Sequence, residues 1–393
     1  MNKLRLRSFA ISAPWLMAVG ALLTPGAAQS QCSLVYSGLE APIGIVQSNA
    51  GTLLVTESGS RVPNTGRISI VNPDGSRRIL LSGLPSGIND VGGISGPAGL
   101  FMRGRTLYVA IGVGDVSLPG PIPGSDLPNP APSSPLFSSV LAVHVSSNTE
   151  NTTAGFTLTF AEQQLLAAGG RVTLSNGGGD EITIELIANF PNYIPKPLPT
   201  LPANIGHSNP HGLVAVADQL YVADGGQNKI WQIDLPTGSF RTLTEFPNIA
   251  NPLYPTLGGP VEEAVPTGIT YSGGRLLVAL FRGIPFAPGT STVEQVDPVT
   301  GSHSQFISGL KTAIAILPVK DLVSTDYLVL QHASIGPFFG GPGLLLRFAS
   351  PDSLGTVLTS CLTRPTSMAL DAKTDTLYVT DLSGRIVAIR VVP

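Results

Sequence analysis

The chain has 393 residues, of which 42% are hydrophobic and only 12% are charged. A chain this apolar can bury a core, so its composition excludes an intrinsically disordered protein. Lys and Arg number 22 against 25 Asp and Glu, and no basic cluster stands out along the sequence. Nucleic acid is therefore excluded as an expected partner, and so is an anionic membrane surface.

The first segment has the organisation of a secretory signal peptide. Three cations in the first seven residues precede an apolar run from Phe9 to Leu23, and small residues follow at Gly26 to Ala28. We expect residues 1–28 to be removed, with cleavage after Ser30 as the alternative. A retained anchor is disfavoured because the run is shorter than the ~20 apolar residues that span a bilayer. The expected protein is secreted or periplasmic, without membrane insertion after signal cleavage.

One pattern recurs about every 50 residues through the rest of the chain. It begins with Pro-x-Gly and an aliphatic residue, continues through a tight turn into a second apolar strand, and ends with two further short strands. The six openings are PIGIV at Pro42, PAGLF at Pro97, PHGLV at Pro210, PTGIT at Pro266, TAIAI at Thr312 and PTSMA at Pro365. Repeated units of four short strands are typical of propeller blades. The sequence predicts an all-β, six-bladed β-propeller that forms a single domain over residues 29–393.

The two ends of the chain indicate how the ring closes. Only three strands follow Pro365, so the last blade lacks its fourth strand. The segment Ser33 to Leu39, SLVYSGL, ends like other fourth strands, such as FISGL at Leu310. We expect this N-terminal strand to complete the last blade and leave no open edge in the ring.

The chain has two cysteines, Cys32 and Cys361. Oxidising conditions after export favour a disulfide between them. However, the alignment of Ser37-Gly38-Leu39 with Ser360-Cys361-Leu362 offsets the cysteines by six residues on strands that run the same way. Six residues correspond to about 20 Å along a strand, whereas a disulfide tolerates at most about 7 Å between Cα atoms. We therefore expect the cysteines to be unpaired.

The lengths of the loops select one face of the disc as the binding surface, which we call the working face. In a blade, the loops before strand one and after strand two lie on the same face. Here these loops are long and rich in Pro and Gly, whereas most turns on the opposite face are tight. Long loops on a rigid scaffold commonly carry binding residues. The long loops are Pro85–Gly96, Gly112–Pro135, Pro191–Asn209, Pro247–Val265, Arg282–Thr292 and His332–Pro342.

Blade two carries an insertion at about residues 146–181, which we expect to decorate the face opposite the working face. Its TFAE sequence at Thr159 is a capping box that predicts a short helix through Ala168. RVTLS and EITIEL then predict a hairpin across NGGGD. We interpret this insertion as structural or as a contact for a partner.

Acidic residues recur at the ends of second strands, at Glu57, Asp224 and Asp381. A carboxylate at this point can accept backbone N–H bonds and brace the following turn. Because the position repeats from blade to blade, bracing is favoured over catalysis.

The residue x of Pro-x-Gly is expected to face the entrance of the central channel. Gluconolactonase-type propellers, which this chain resembles in architecture, place Glu, Asn and Asp at such positions to hold a divalent metal. Here the ring is mostly apolar or hydroxyl-bearing, and a calcium site needs several oxygen ligands. A metal-dependent lactonase is therefore disfavoured. The ring consists of Ile43, Ala98, His211, Thr267, Thr366 and, in blade five, Ala313.

The polar candidates converge on the start of blades two, three and four. Two histidines with carboxylates suit Zn²⁺, Cu²⁺ or Fe²⁺, and an exposed histidine can also act as acid or base. His211 and Glu263 are the candidate catalytic residues, and a divalent metal is the candidate cofactor. The alternative, that these side chains only brace loops, stays open. The candidate ligand-binding set is Asp90, His207, Asn209, His211, Glu262, Glu263, Thr267, Phe281, Arg282 and Phe286.

Four motifs resemble the ScyD/ScyE family of exported propellers associated with scytonemin biosynthesis. They are SNPHGL at Ser208–Leu213, LYVADGGQN at Leu220–Asn228, AVPTG at Ala264–Gly268 and LFRGIPFAPG at Leu280–Gly289. The resemblance runs from about Leu34 to the C-terminus, although the family often has Tyr at the position of His211, and the blade-two insertion is also a departure.

The resemblance implies a periplasmic or extracellular role in the late assembly of an indole–phenol pigment. The expected partner is a small aromatic metabolite or another exported protein. Two kinds of function stay open: an enzyme or accessory factor that acts on the metabolite, and a non-catalytic propeller that scaffolds a protein or glycan.

Overall fold

A computed structural model describes residues 30–122, 124–151, 154–320 and 324–391. The predicted signal peptide lies outside the described residues. One α-helix occurs in the described part of the chain, and no helix there is long and apolar enough to cross a membrane.

Six antiparallel sheets form the blades of a β-propeller, as predicted. After β1 (Cys32–Ser37), blade one contains β2 (Pro42–Gln47), β3 (Leu53–Glu57), β4 (Gly66–Val71) and β5 (Arg77–Leu84). The hairpin β6 (Gly87–Ile88) and β7 (Ile94–Ser95) leads into blade two, which starts with β8 (Pro97–Arg103) and β9 (Thr106–Ile111). The loop after β9 contains the small pair β10 (Ser117–Pro119) and β11 (Asp126–Pro128), and β12 (Ser139–Val145) is the third strand of the blade. The insertion follows, with β13 (Phe156–Thr157), α1 (Phe160–Ala167) and β14 (Arg171–Ser175). The fourth strand of the blade is β15 (Glu181–Asn189).

The second half of the ring is more regular. Blade three follows the pair β16 (Tyr193–Pro195) and β17 (Ile205–His207), with β18 (Pro210–Val216), β19 (Gln219–Asp224), β20 (Lys229–Asp234) and β21 (Phe240–Glu245). Blade four follows β22 (Ile249–Ala250) and β23 (Val261–Glu262), with β24 (Pro266–Ser272), β25 (Arg275–Leu280), β26 (Ser291–Val296) and β27 (His303–Leu310). Blade five contains β28 (Ala313–Lys320), β29 (Thr325–Gln331), β30 (Gly343–Phe348) and β31 (Thr356–Leu362), and blade six β32 (Pro365–Asp371), β33 (Thr376–Asp381) and β34 (Arg385–Arg390).

The N-terminal strand closes the ring as predicted. Strand β1 pairs antiparallel with β34, from Cys32 opposite Ile389 to Ser37 opposite Arg385, and the sheet order is β1-β34-β33-β32. Blade six is therefore built from both ends of the chain, and its outer edge is occupied by β1.

The prediction of unpaired cysteines is wrong. Cys32 and Cys361 form a disulfide, with 6.5 Å between their Cα atoms. The register assumed for that estimate does not hold, because Cys32 Sγ lies beside β31, 3.4 Å from Thr359 Oγ1. The chain before β1 accordingly crosses to blade five, where the Ser30 amide donates to the Leu358 carbonyl at 2.7 Å.

The glycine of Pro-x-Gly lets the first strands of adjacent blades approach closely around the channel. A Cβ on Gly44 would lie 2.6 Å from the carbonyl oxygen of Ala98, and one on Gly268 would lie 2.5 Å from that of Ile314. Such distances leave no room for a side chain, so the glycines set the narrow bore of the ring. Outside this ring the second strands are buried on both faces, as in Leu53–Glu57.

The local structure of the insertion matches the prediction, but its position does not. Thr159 caps α1 in a capping box with Glu162, and β14 and β15 form the expected hairpin. However, β13 runs parallel to the outer strand of blade one, β5, toward the working face. The helix then lies at the rim of the working face, where the Gln163 side chain contacts Gly83 and Asn64. The insertion thus starts at the opposite face, and its strand β13 leads to the helix at the rim of the working face.

The loops sort onto the two faces as predicted. Pro210 pairs with Asp224 and Pro266 with Leu280, so each loop before strand one lies beside the loop after strand two. The His207–His211 segment and the Phe281–Phe286 loop therefore share the working face. The short pairs β6–β7, β10–β11, β16–β17 and β22–β23 all belong to the working-face loops.

Candidate functional site

The recurring acidic residues are buried braces. Glu57 accepts hydrogen bonds from the Glu40 amide and Ser69 and pairs with two arginines. Asp224 accepts the amides of Asn209, Gly226 and Gln227 together with the Trp231 indole N–H. Asp224 thus fixes the turn that follows its second strand, whereas Glu57 ties the segment before blade one to strands β4 and β5. The bracing interpretation therefore accounts for the repetition of the carboxylates.

The central channel contains a cavity of about 170 Å³ that is mostly apolar. Among the predicted ring residues, Ile43, His211 and Thr366 line it. Ala98 is buried between strands instead, and so is Thr267. Thr267 Oγ1 donates to the carbonyls of Ala279 and Ala313, at 3.3 and 3.4 Å, so it braces two blades.

The ring position of blade five needs a correction of one residue. Ala313 pairs with the last residue of its second strand, Gln331, as Pro266 pairs with Leu280 in blade four. Ala313 therefore replaces the proline of the motif, and Ile314 replaces x. The TAIAI sequence lacks both Pro and Gly, so its register could not be fixed from the motif alone. Ile314 lines the cavity.

His211 is the titratable side chain of the channel cavity. Its Nδ1 atom is buried and has no hydrogen-bond partner in the described part of the chain. Burial lowers the pKa of His211 to about 4, against a smaller opposite effect of the Thr267 backbone. The imidazole is thus neutral at physiological pH, and it lies among apolar groups instead of carboxylates.

The other blade-three candidates separate into a brace and a rim contact. Asn209 Oδ1 accepts the Val113 amide at 3.1 Å, which ties blade three to the long loop of blade two. His207 Nδ1 lies 3.8 Å from Asp126 Oδ2. Burial raises the pKa of Asp126, and its hydrogen-bonded neighbour Asp90 raises it further, while His207 lowers it. These contacts join three working-face hairpins.

The two glutamates before blade four have different surroundings. Glu263 is partly exposed, and its Oε1 lies 3.1 Å from Lys196 Nζ. Glu262 is fully buried; its Oε1 accepts the Ala287 amide at 2.9 Å, and its Oε2 has no partner in the described residues. Within the described ranges, no three His, Cys, Asp or Glu side chains are placed to hold a metal ion. His211 faces the channel cavity, whereas Glu263 pairs with Lys196, so the two candidate residues have different surroundings.

Aromatic side chains converge on the working face above blades four to six, in a group that we call the aromatic platform. It consists of Phe281, Phe286, His332 and Phe339. The rings of Phe286 and Phe339 are stacked, with centroids 4.6 Å apart and an interplanar angle of 22°. Phe281 meets Phe286 edge-on at 5.6 Å, and His332 meets Phe339 edge-on at 5.0 Å. Edge-on and offset contacts of this kind are the favourable arrangements for aromatic pairs.

Buried cations hold the loops of the platform. Lys311 Nζ donates to the carbonyls of Phe286 and Phe338, at 3.1 and 2.6 Å, and so joins the loops of blades four and five. Arg282 has a φ of 77° and donates from Nε to the Thr290 carbonyl at 2.9 Å. Burial lowers the pKa of both side chains. The two cations act here as internal supports of the loops.

One edge of the platform is open to solvent. Phe339 is 38% exposed and Phe338 47%, and Ile284 beside them is 56% exposed. The Phe338 amide donates to the Pro285 carbonyl at 2.8 Å, so these apolar side chains come from two loops held together. Exposed apolar surface that is contiguous and rigidly supported is characteristic of ligand sites.

The rings of Phe281 and Phe286 are in contact on the working face, together with residues that were not among the candidates. His332, Phe338 and Phe339 lie in the last long loop of the working face, and Lys311 precedes blade five. The adjacent phenylalanines in a Gly-rich loop were a usable signal. Lys311 gave none, because its role depends on carbonyl groups of two other loops.

The chain is similar, at low sequence identity, to several solved structures. No family model matches the chain, and no curated protein matches it. Among solved structures, inactive virginiamycin B lyase from Staphylococcus aureus with quinupristin is 13% identical, over 92% of this chain and 99% of that one, with a TM-score of 0.46. The PQQ-bound aldose sugar dehydrogenase of Streptomyces coelicolor is 14% identical over 93% and 99%, with a TM-score of 0.49. A gluconolactonase from Xanthomonas campestris is 11% identical over 92% and 89%, also with a TM-score of 0.49.

Proposed function

We propose that this propeller binds a planar aromatic metabolite on the aromatic platform, as a binding protein in the assembly of an indole–phenol pigment of the scytonemin type. The observation that carries the proposal is the stacked pair of Phe286 and Phe339 beside the exposed side chains of Ile284 and Phe338. A flat aromatic ligand can extend this stack and cover the exposed apolar surface, which favours binding.

The sequence resemblance supports the same site. The LFRGIPFAPG motif, which contributes to the resemblance to the ScyD/ScyE family, is the loop that supplies Phe281, Ile284 and Phe286. The Cys32–Cys361 disulfide supports the proposed secreted or periplasmic location, because structural disulfides persist in oxidising compartments.

Binding is favoured over catalysis by the surroundings of the candidate catalytic residues. His211 faces an apolar channel cavity, and Glu263 is paired with Lys196. A nucleophile or acid–base catalyst needs a partner within hydrogen-bond reach of the reacting atoms. The proposed function therefore assigns no catalytic role to either residue.

Calorimetric titration with 3-(4-hydroxybenzyl)indole, which contains an indole and a phenol ring, tests the proposal. We expect saturable binding of one ligand per chain and a roughly tenfold higher Kd for Phe339→Ala, since the variant loses one ring of the stack. Tyr271→Ala is the matched control, because Tyr271 is an exposed aromatic residue near the strand one–two turn on the opposite face. No binding, or equal weakening by both substitutions, would contradict the proposed site.

A further inference from the structure

A third cation, Arg364, lies at the exposed edge of the aromatic platform. Its guanidinium carbon lies 5.9 Å from the centre of the Phe339 ring. Its Nη1 donates to the Gly341 carbonyl at 2.8 Å, and its Nη2 donates to the Phe339 carbonyl. A guanidinium has five N–H groups. Two of them are thus used to hold the Phe339 loop.

In the described part of the chain, the positive charge of Arg364 is not balanced by an ion pair. Within the described ranges, neither Arg364 nor Lys311 has a carboxylate within ion-pair distance, and the hydrogen-bond acceptors of both are neutral carbonyl oxygens. The nearby carboxylate of Glu262 is buried and interacts with Arg282 as well as Lys311. In addition to burial, both cations lower the pKa of His332, and Arg364 also lowers the pKa of Lys311.

We infer that the site selects an aromatic ligand that carries a carboxylate, with its ring on the aromatic platform and its carboxylate on Arg364. This inference rests on the proposed function and specifies its ligand class. The remaining N–H groups of Arg364 can donate to a carboxylate in the paired geometry that guanidinium favours. Because the guanidinium is adjacent to the Phe339 ring, a carboxylate one or two carbons from the ligand ring can reach it.

The ligand class is narrower than an aromatic ring or an anion alone. A neutral aromatic compound would cover the rings but leave the charge of Arg364 unmatched, whereas a small inorganic anion would leave Ile284 and Phe338 exposed. A ligand with both an aromatic ring and a carboxylate covers the exposed apolar side chains and also balances the charge of Arg364.

A comparison of indole-3-acetate with indole-3-acetamide tests this inference, since the two probes differ in charge but hardly in shape. We expect the wild-type protein to bind the acid about tenfold more tightly than the amide at low ionic strength, with the difference reduced in 0.5 M NaCl. Arg364→Gln should reduce the preference for the acid over the amide to within about twofold. Arg61→Gln is the matched control, because Arg61 is an exposed cation in a working-face loop of blade one.

The outcomes separate the inference from the proposed function. Equal binding of acid and amide by the wild-type protein overturns the inference but leaves an aromatic site. If neither probe and no indole–phenol compound binds, both are overturned. If Arg364→Gln binds neither ligand because the Phe339 loop is displaced, the same comparison of acid and amide is made with Arg364→Lys, which keeps the positive charge. A preference for the acid in that variant supports the inference, and amide binding without preference overturns it.

Discussion

Two buried histidines, His211 and His332, are held neutral by their surroundings. Burial lowers the pKa of each to about 4, and the neighbouring Arg364 adds to the shift of His332. His332 Nδ1 lies 2.9 Å from the Pro365 carbonyl oxygen, so it carries the proton and donates to this oxygen. The ring is thus fixed between blades five and six. Its edges contact Phe281 and Phe339.

These shifts predict a loss of stability in mild acid. A histidine whose folded-state pKa lies below its unfolded value contributes full stability above about pH 6.5, and this contribution declines as the pH falls toward 4. For His332, a shift from 6.5 to about 4 corresponds to about 3 kcal/mol in the limit of low pH. Urea denaturation at pH 7.0 and 4.5 measures the effect. His332→Gln should lose clearly less stability between these pH values than the wild-type protein.

The control for this measurement is His144→Gln, because the His144 side chain is 42% exposed and lies 2.9 Å from Glu185. Because this variant keeps His332, it should retain the acid sensitivity that His332 causes. If His332→Gln shows the same acid sensitivity as both, the buried neutral imidazole does not contribute. NMR titration of the five histidines offers a second measurement, with two of them expected to titrate near pH 4.

Sequence reasoning found His211 but not His332. His211 occupies the variable position of a recurring motif, so its place in the ring followed from the repeat. His332 follows a degenerate second strand, and the Pro365 carbonyl that orients it belongs to the next blade. Its burial therefore depends on packing between blades, which no local pattern reports.

At the scale of elements, the blade-two insertion illustrates the same limit. The capping box of α1 and the hairpin of β14 and β15 depend on neighbours a few residues away, and both were predicted. The crossing to the working-face rim depends on the pairing of β13 with β5, about 75 residues earlier in sequence. The helix buries a glutamine, Gln163, and exposes Phe160 and Leu165. The pattern of hydrophobic residues along the helix therefore does not predict which side of the helix is buried.

The fully buried Gln163 side chain anchors the helix. Its Nε2 donates to the Gly83 carbonyl at 2.8 Å and to Asn64, and its Oε1 accepts from Ser134 at 2.6 Å. Gln163→Leu would remove these three hydrogen bonds, one of them to the buried Ser134, so we expect a loss of about 1–3 kcal/mol. Thermal unfolding measures the loss, and limited proteolysis should show faster cleavage within residues 146–181.

Gln164→Leu provides the matched control, since Gln164 is exposed on the same helix. It should change the unfolding temperature little. Equal stability of the two variants would mean that the insertion is held by β13 and β14 alone and that the helix adds nothing to the rim.

At the scale of the whole molecule, the number of blades and the closure of the ring were readable from the sequence. Both follow from the repeat, since three strands at the C-terminus and one at the N-terminus make one blade. The disulfide could not be predicted from the repeat. The alignment of fourth strands gave the offset along one strand, but the Cα separation also depends on how neighbouring blades are rotated and twisted. The aromatic platform was partly readable, because one of its loops carries a specific motif and the other carries only adjacent phenylalanines.

The ring is closed by two kinds of contact, and their contributions to the stability of the fold can be measured separately. Hydrogen bonds between β1 and β34 complete blade six, whereas the Cys32–Cys361 disulfide ties β1 to the outer strand of blade five. Replacement of both cysteines by serine removes only the covalent link, so we expect a loss of about 2–5 kcal/mol with unfolding still cooperative. Deletion of residues 30–39 removes both closures and exposes the edge of β34. This variant should be less stable than the serine variant and should self-associate, because an unpaired strand edge favours pairing with another chain.

Thermal unfolding with and without a reducing agent, together with light scattering, distinguishes these effects. The reduced wild-type protein should unfold at the temperature of the serine variant, and reductant should not change the serine variant itself. Two free thiols in the denatured, non-reduced protein would contradict the disulfide. If the deletion variant were as stable as the serine variant and stayed monomeric, β1 would contribute only through its covalent link. The strand would then be a tether and not the structural fourth strand of blade six.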